Sequence, residues 1–208
     1  MAISIKIMGV SGSPVKEGNT QAYLKASLQA AERIEGVSSE LITLADKNIH
    51  DCIHCNWCLK NQSEGQFCHQ QDNMQEIYPL ILEADCVLFA SPVYFGRLSG
   101  LSSIFFDRLR VFVHGNLYKN KLEHKIGGAL AVGWFRNSGA EMTTMSINYG
   151  FWTLGMLVVK PGAVGISGIE GNNLVSKDEY GLKSAQVLAK QIVEVTGLIK
   201  LGKSLHGK

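Results

Sequence analysis

Nowhere does this 208-residue chain sustain an apolar run long enough to cross a bilayer; its longest, such as 126–135 (IGGALAVGWF), are short and glycine-rich. It also lacks a dominant charge. Twenty Lys and Arg oppose eighteen Asp and Glu, leaving a formal charge of +2 with the signs mixed along the chain, which argues against a nucleic-acid partner. The opening MAISIKIMGV has neither the charged start nor the cleavage pattern of a secretory signal. Five cysteines are an odd number for a disulfide framework, and a chain of this length can bury a core without one. These absences together predict a cytoplasmic protein, with no membrane and no nucleic acid among its partners.

What is present is an alternation of apolar runs and helical patterns. Strands are expected over 3–10, 38–44, 85–91, the 124–134 run HKIGGALAVGW, and 155–160 (GMLVVK), the third continuous enough to be covered on both faces. Helices are expected to follow each strand: one ending near Gly36, one capped by Asp72, then 101–113, 138–154 and about 178–199. The pattern predicts an α/β fold, a doubly wound five-stranded parallel sheet in one domain spanning 1–208, with a cysteine-rich loop at about 48–71 after the second strand. The glycine-dotted stretch 162–171 reads as a turning surface loop, and about 200–208 as a solvated tail. In such sheets ligands sit at the carboxyl ends of the strands.

Three segments at those ends carry chemistry. After the first strand comes SGSPVKEGNT (11–20), whose small and hydroxylated residues let backbone N–H groups and the hydroxyls of Ser11, Ser13 and Thr20 approach a phosphate at a helix N-terminus. It carries neither the Lys-Ser/Thr pair of triphosphate loops nor the GxGxxG order of dinucleotide binders. A plain turn with Asn19 or Thr20 as N-cap is the alternative. After the third strand, SPVYFGRLSG (91–100) combines Pro92, a flexible Gly96 and the flat surfaces of Tyr94 and Phe95. The third segment is DCIHCNWCLKNQSEGQFCH (51–69), which gathers Cys52, Cys55, Cys58 and Cys68. Thiols without a metal, a zinc site completed by His50, His54 or His69, and an iron-sulfur cluster all compete for it.

GVSGSPVKEGNT, SPVYFGRLSG followed by FFDR, and NSGAE followed by GMLVVKPG, in this order through about Gly165, resemble the flavodoxin-like, NADPH-dependent FMN reductases, in particular their iron-sulfur flavoprotein branch. The resemblance implies an FMN whose phosphate lies in 11–20, against Ser11, Ser13, Gly18, Asn19 and Thr20. Its ring would rest on Pro92, Val93, Tyr94, Phe95 and Gly96. A third contact would come from Trp134, Asn137, Ser138 and Gly139, with Trp134 either shielding the ring or buried for structure. It also implies a homodimer or homotetramer.

The C-x2-C-x2-C run of Cys52, Cys55 and Cys58 lets three thiolates converge on one cubane, with Cys68 as a distant fourth ligand, whereas zinc sites usually pair cysteines in two separated knuckles. That favours a 4Fe-4S cluster. Cys86, within the third strand, is expected to be a small buried hydrophobe. Asp107 and Arg108 read as a helix ion pair or a subunit contact, and Arg97 and Arg136 as solvated. No Ser, His and Asp set points to a hydrolase, and no catalytic side chain is expected. The resulting expectation is an oxidoreductase passing electrons between NAD(P)H or ferredoxin and a small-molecule or protein acceptor. The alternatives are an FMN-only reductase of quinones, azo compounds or flavin, and a redox sensor or zinc-stabilised binding module.

Overall fold

The computed structural model describes residues 3–169 and 172–205. Strands β1 (Ile5–Ser11), β2 (Val37–Thr43), β3 (Cys86–Tyr94) and β5 (Ile126–Gly133) run parallel in the order β2-β1-β3-β5. Helices α1 (Asn19–Glu32), α2 (Met74–Glu83), α3 (Gly100–Arg108), α4 (Arg110–His114), α5 (Ala140–Thr153) and α6 (Glu179–Leu205) connect or flank them. Successive strand side chains face opposite sides. Met8, Val10, Val87 and Phe89 accordingly enter a core with Phe105, Phe112 and Ile147 from α3, α4 and α5. Ile7, Cys86, Leu88 and Ala90 enter another, with Leu24 and Leu28 of α1 and Ala185 and Ile192 of α6. Because both faces are covered, the continuous apolar run of β3 is needed.

The sheet has seven strands where five were expected. The fifth position is shared: β6 (Leu157–Val158) pairs with Ile126 and Gly127, and β7 (Ala163–Ile166) with Leu130 to Gly133 of the same β5. Between them Pro161 offers no ladder donor and Gly162 takes φ 132, so the edge is interrupted rather than continuous. β7 lies in the glycine stretch expected as a loop. A side chain at Gly165 would come within 2.7 Å of Val175 and 2.9 Å of Tyr23, so the glycine lets this strand sit against α1. The seventh strand, β4 (Arg97–Leu98), folds back antiparallel on β3 through a turn in which Phe95 (φ 51) and Gly96 (φ 76) are both left-handed.

Two helical expectations also change. The helix expected over 101–113 is two helices meeting at Leu109, beside the buried Arg108. The last helix continues through Leu205, into what was expected as a tail; residues 206–208 lie outside the described residues. No helix among the described residues is long and apolar enough to cross a membrane.

Candidate functional site

The register aligns Ser11 with Thr43 and Ala90, and Pro92 with Val132, so the chain leaves β1, β3 and β5 side by side at the carboxyl edge. The first of these exits leads into an uncapped helix. Gly18 precedes α1 and supplies no side-chain cap, and the first turn holds no acidic residue. The amides there are thus open to an anion, and the helix dipole favours one. Ser11 Oγ is buried without a hydrogen-bond partner. Ser13 and Thr20 are buried (3% exposed each), and Ser13 Oγ accepts from the Val15 amide at 3.1 Å. An unsatisfied hydroxyl beside uncapped amides is what a phosphate would complete.

Asn19 differs from expectation. Its Nδ2 donates to the Asn173 carbonyl (2.7 Å) and its Oδ1 accepts from the Val175 amide (2.9 Å), so the side chain ties α1 to the segment before α6. Its backbone N–H is the donor at the helix start that remains for a phosphate.

A serine network missed in the sequence holds this loop against the next. The Gly12 amide donates to the Ala90 carbonyl (2.8 Å), and the Gly12 carbonyl accepts from Ser99 Oγ (2.6 Å) and Ser102 Oγ (3.2 Å). Ser102 Oγ has a single proton, for which Ser91 Oγ at 3.0 Å is the alternative acceptor. A side chain at Gly12 would collide with Ser102 Oγ. The sequence signal was available: Ser99 lies three residues before Ser102, whose amide it caps at 3.1 Å.

In the second loop Pro92 is buried, Val93 is half-buried, and Tyr94, Phe95 and Gly96 are exposed. Gly139 in the third loop takes φ 97, and a side chain there would collide with the Gly96 backbone. These two loops therefore touch through glycine. Trp134 is 57% exposed, so it is not a buried structural tryptophan; Phe135, overlooked in the sequence, is 60% exposed. Asn137 is exposed at φ 60, and Ser138 Oγ is buried without a partner. Flat apolar surface thus lies open along two adjoining loops, as befits a planar ligand or a partner.

The cysteine segment lies between β2 and α2, and its base is closed by a buried clasp. Arg108 pairs with Asp72 through Nη1, and through Nη2 at 3.1 Å, and its Nη1 also donates to the His50 carbonyl at 2.7 Å. Asp72 further accepts from the amides of His50 (3.0 Å) and Met74 (3.1 Å). Burial pushes its carboxyl up, but Arg108 and those amides outweigh it and hold the group below its ordinary value. The ion pair expected within FFDR is therefore between Arg108 and Asp72; Asp107 is exposed, its carboxyl raised by partial burial and then by Asp51. Arg97 and Arg136 are exposed, as expected.

Within the segment His54 (φ 51) and Asn56 (φ 58) are left-handed on either side of Cys55, which winds the chain tightly enough to bring the thiols to one hollow. Cys52, Cys55, Cys58 and Cys68 all line it, together with Arg108 and Arg110. Of the three neighbouring histidines only His54 borders it. Burial raises the Cys58 thiol, with Arg110 acting against that shift. Among the described residues, no group of three or more His, Cys, Asp or Glu is arranged to hold a metal ion. The hollow nevertheless favours a negative group, because Arg108 Nε and Arg110 Nη1 are buried N–H donors without acceptors. Cys86 lies elsewhere, fully buried in β3, its thiol pushed up to about 12 mainly by burial.

A doubly wound parallel sheet whose carboxyl edge combines an uncapped helix start with exposed aromatic loops defines a flavodoxin-like flavoprotein. The solved structure of a flavodoxin, WrbA-like protein from Agrobacterium tumefaciens shares the fold, with a TM-score of 0.56 over 91% of this chain and 99% of that one, at 18% identity. The family profile for NADPH-dependent FMN reductase matches residues 5–171. An iron-sulfur flavoprotein of Methanocaldococcus jannaschii is 38% identical over 203 residues, covering 94% of this chain and all of its own length. One of Methanosarcina thermophila is 32% identical over 196 residues, covering 94% and 97%. The chain belongs to the NADPH-dependent FMN reductase family, in its iron-sulfur flavoprotein branch, and is an FMN-dependent oxidoreductase.

Proposed function

We propose that this oxidoreductase passes electrons between a reduced donor, ferredoxin or NAD(P)H, and a small-molecule or protein acceptor through FMN and a 4Fe-4S cluster ligated by Cys52, Cys55, Cys58 and Cys68. The observation that carries the cluster is the single hollow lined by four cysteines and two arginines, each arginine with a buried donor lacking an acceptor. When bound, FMN exchanges electrons in pairs or singly and the cluster exchanges them one at a time. The protein's work is binding and orientation. Ser11, Ser13 and the amides opening α1 hold the phosphate. Tyr94, Phe95 and Trp134 flank the ring and keep water from it, while Gly12, Ser99 and Ser102 fix the first loop against the second. The core step calls for no side-chain acid or base.

Within one chain the two sites meet opposite ends of α3, whose nine residues span roughly 13 Å. Transfer between the FMN of one chain and the cluster of a neighbour in a homodimer or homotetramer is the arrangement that the family resemblance favours. Low-temperature electron paramagnetic resonance of anaerobically purified, dithionite-reduced protein tests the proposal. A fast-relaxing signal from a reduced cluster is expected. A second reading is an FMN-only reductase, in keeping with the lack, among the described residues, of three or more His, Cys, Asp or Glu arranged to hold a single metal ion. In that case the reduced protein gives no such signal while NAD(P)H still bleaches the flavin.

A further inference from the structure

Arg108 and Arg110 line the same hollow as the four cysteines but stand in different electrostatic situations. The charge of Arg108 is offset by Asp72, and its two Nη atoms are occupied by Asp72 and the His50 carbonyl. The bond found for Arg110 is to a neutral partner: Nη2 donates to Asn56 Oδ1 at 2.8 Å. Asn56 lies between Cys55 and Cys58 in the left-handed turn, so this bond fixes the guanidinium relative to the cysteine run. Arg110 Nη1 is left buried with no acceptor, and no carboxylate lines the hollow to supply one. A charged donor in that position costs stability unless a negative group completes it.

We propose that Arg110 is a positioning residue that donates a charged N–H to the sulfur of the cysteine-held cluster and raises its reduction potential. The inference rests on the cluster reading above. A cubane held by four thiolates is anionic in both oxidation states and gains one further negative charge when it accepts an electron. A fixed cation and its hydrogen bond therefore stabilise the reduced form more than the oxidised one. The electron comes from the flavin or the external donor and leaves to the acceptor; Arg110 transfers none and remains protonated throughout. Its effect is to make the cluster easier to reduce at a given donor poise.

The test is a redox titration of intact, anaerobically purified R110M and R110K, followed by electron paramagnetic resonance, with iron and acid-labile sulfide measured on the same samples. At a fixed poise near the wild-type midpoint, the ratio of reduced to oxidised cluster should fall about tenfold in R110M, equivalent to 59 mV for one electron. R110K, which keeps the charge but not the fork, should fall between R110M and wild type. Resonance Raman bands of the iron–sulfur stretches should shift on transfer to D2O less in R110M than in wild type, the remaining shift coming from donors such as Arg108 Nε; an equal shift counts against the assignment. An R110M cluster of full iron content whose ratio matches wild type overturns the assignment. If R110M loses its iron, R110K decides: a lower ratio than wild type supports the proposal and an equal one overturns it. Wild-type protein devoid of iron and sulfide overturns the cluster reading itself, and this inference with it.

Discussion

Arg108→Met removes the cation from an ion pair whose side chains are 1% and 0% exposed. Asp72 keeps the amides of His50 and Met74 but loses both guanidinium contacts, and the His50 carbonyl loses its Nη1 donor. An exposed pair would contribute at most about 1 kcal/mol. Here water cannot replace the lost partner, so leaving the carboxylate buried and unpaired should cost about 3–5 kcal/mol, a large share of a total stability of about 5–15 kcal/mol. Urea unfolding at neutral pH, followed by circular dichroism, should show that loss. Adding Asp72→Asn to R108M should recover part of it, because the isolated charge is then gone; the double variant should be more stable than the summed single losses by about 0.5–3 kcal/mol. A loss in R108M below about 1 kcal/mol, or strictly additive variants, would refute the clasp as the element that closes the cysteine segment.

Asp72 also sets a pH dependence. Its folded pKa lies below the ordinary 3.8, so its contribution is complete above that value and disappears as pH falls through the folded pKa; D72N should flatten the acid limb of a stability profile, and an unchanged limb contradicts this. Ser11→Ala should weaken FMN binding to apoprotein by about 1.5–3 kcal/mol, the worth of a bond to a charged acceptor, read by quenching of flavin fluorescence; an unchanged Kd removes Ser11 from the site. Gly139→Ala meets the Gly96 backbone in a left-handed conformation and should lower flavin affinity without unfolding the sheet, whereas Gly100→Ala, facing open space, should leave it unchanged. Cys55→Ser should abolish bound iron yet retain FMN, and concurrent loss of flavin from folded protein would show that the two sites are not separable.

The parallel sheet was legible because its signals are local. β3 is apolar from Cys86 to Ala90, and α1 carries Leu24 and Leu28 at helical spacing. The split fifth strand was hidden because Pro161 and the glycines after it read as a loop, and β7 exists only through pairing with β5. The three loops at the carboxyl edge stood out together through their resemblance to the FMN reductases, but their mutual support did not. Ser99 reaches Gly12 across 87 positions, and Arg108 reaches Asp72 across 36. A charged residue in a helix pattern gives no sign of a distant partner, so Arg108 was paired with its neighbour Asp107. Asn19 shows the reverse: a residue type suited to phosphate is engaged in holding residues 173–175.

Chemical analysis of anaerobically purified protein for flavin, iron, zinc and acid-labile sulfide, expressed per chain, tests the whole account most directly. About one FMN with about four iron and four sulfide, and no stoichiometric zinc, is expected. Protein that binds a full complement of FMN but carries zinc, or neither iron nor sulfide, would contradict it.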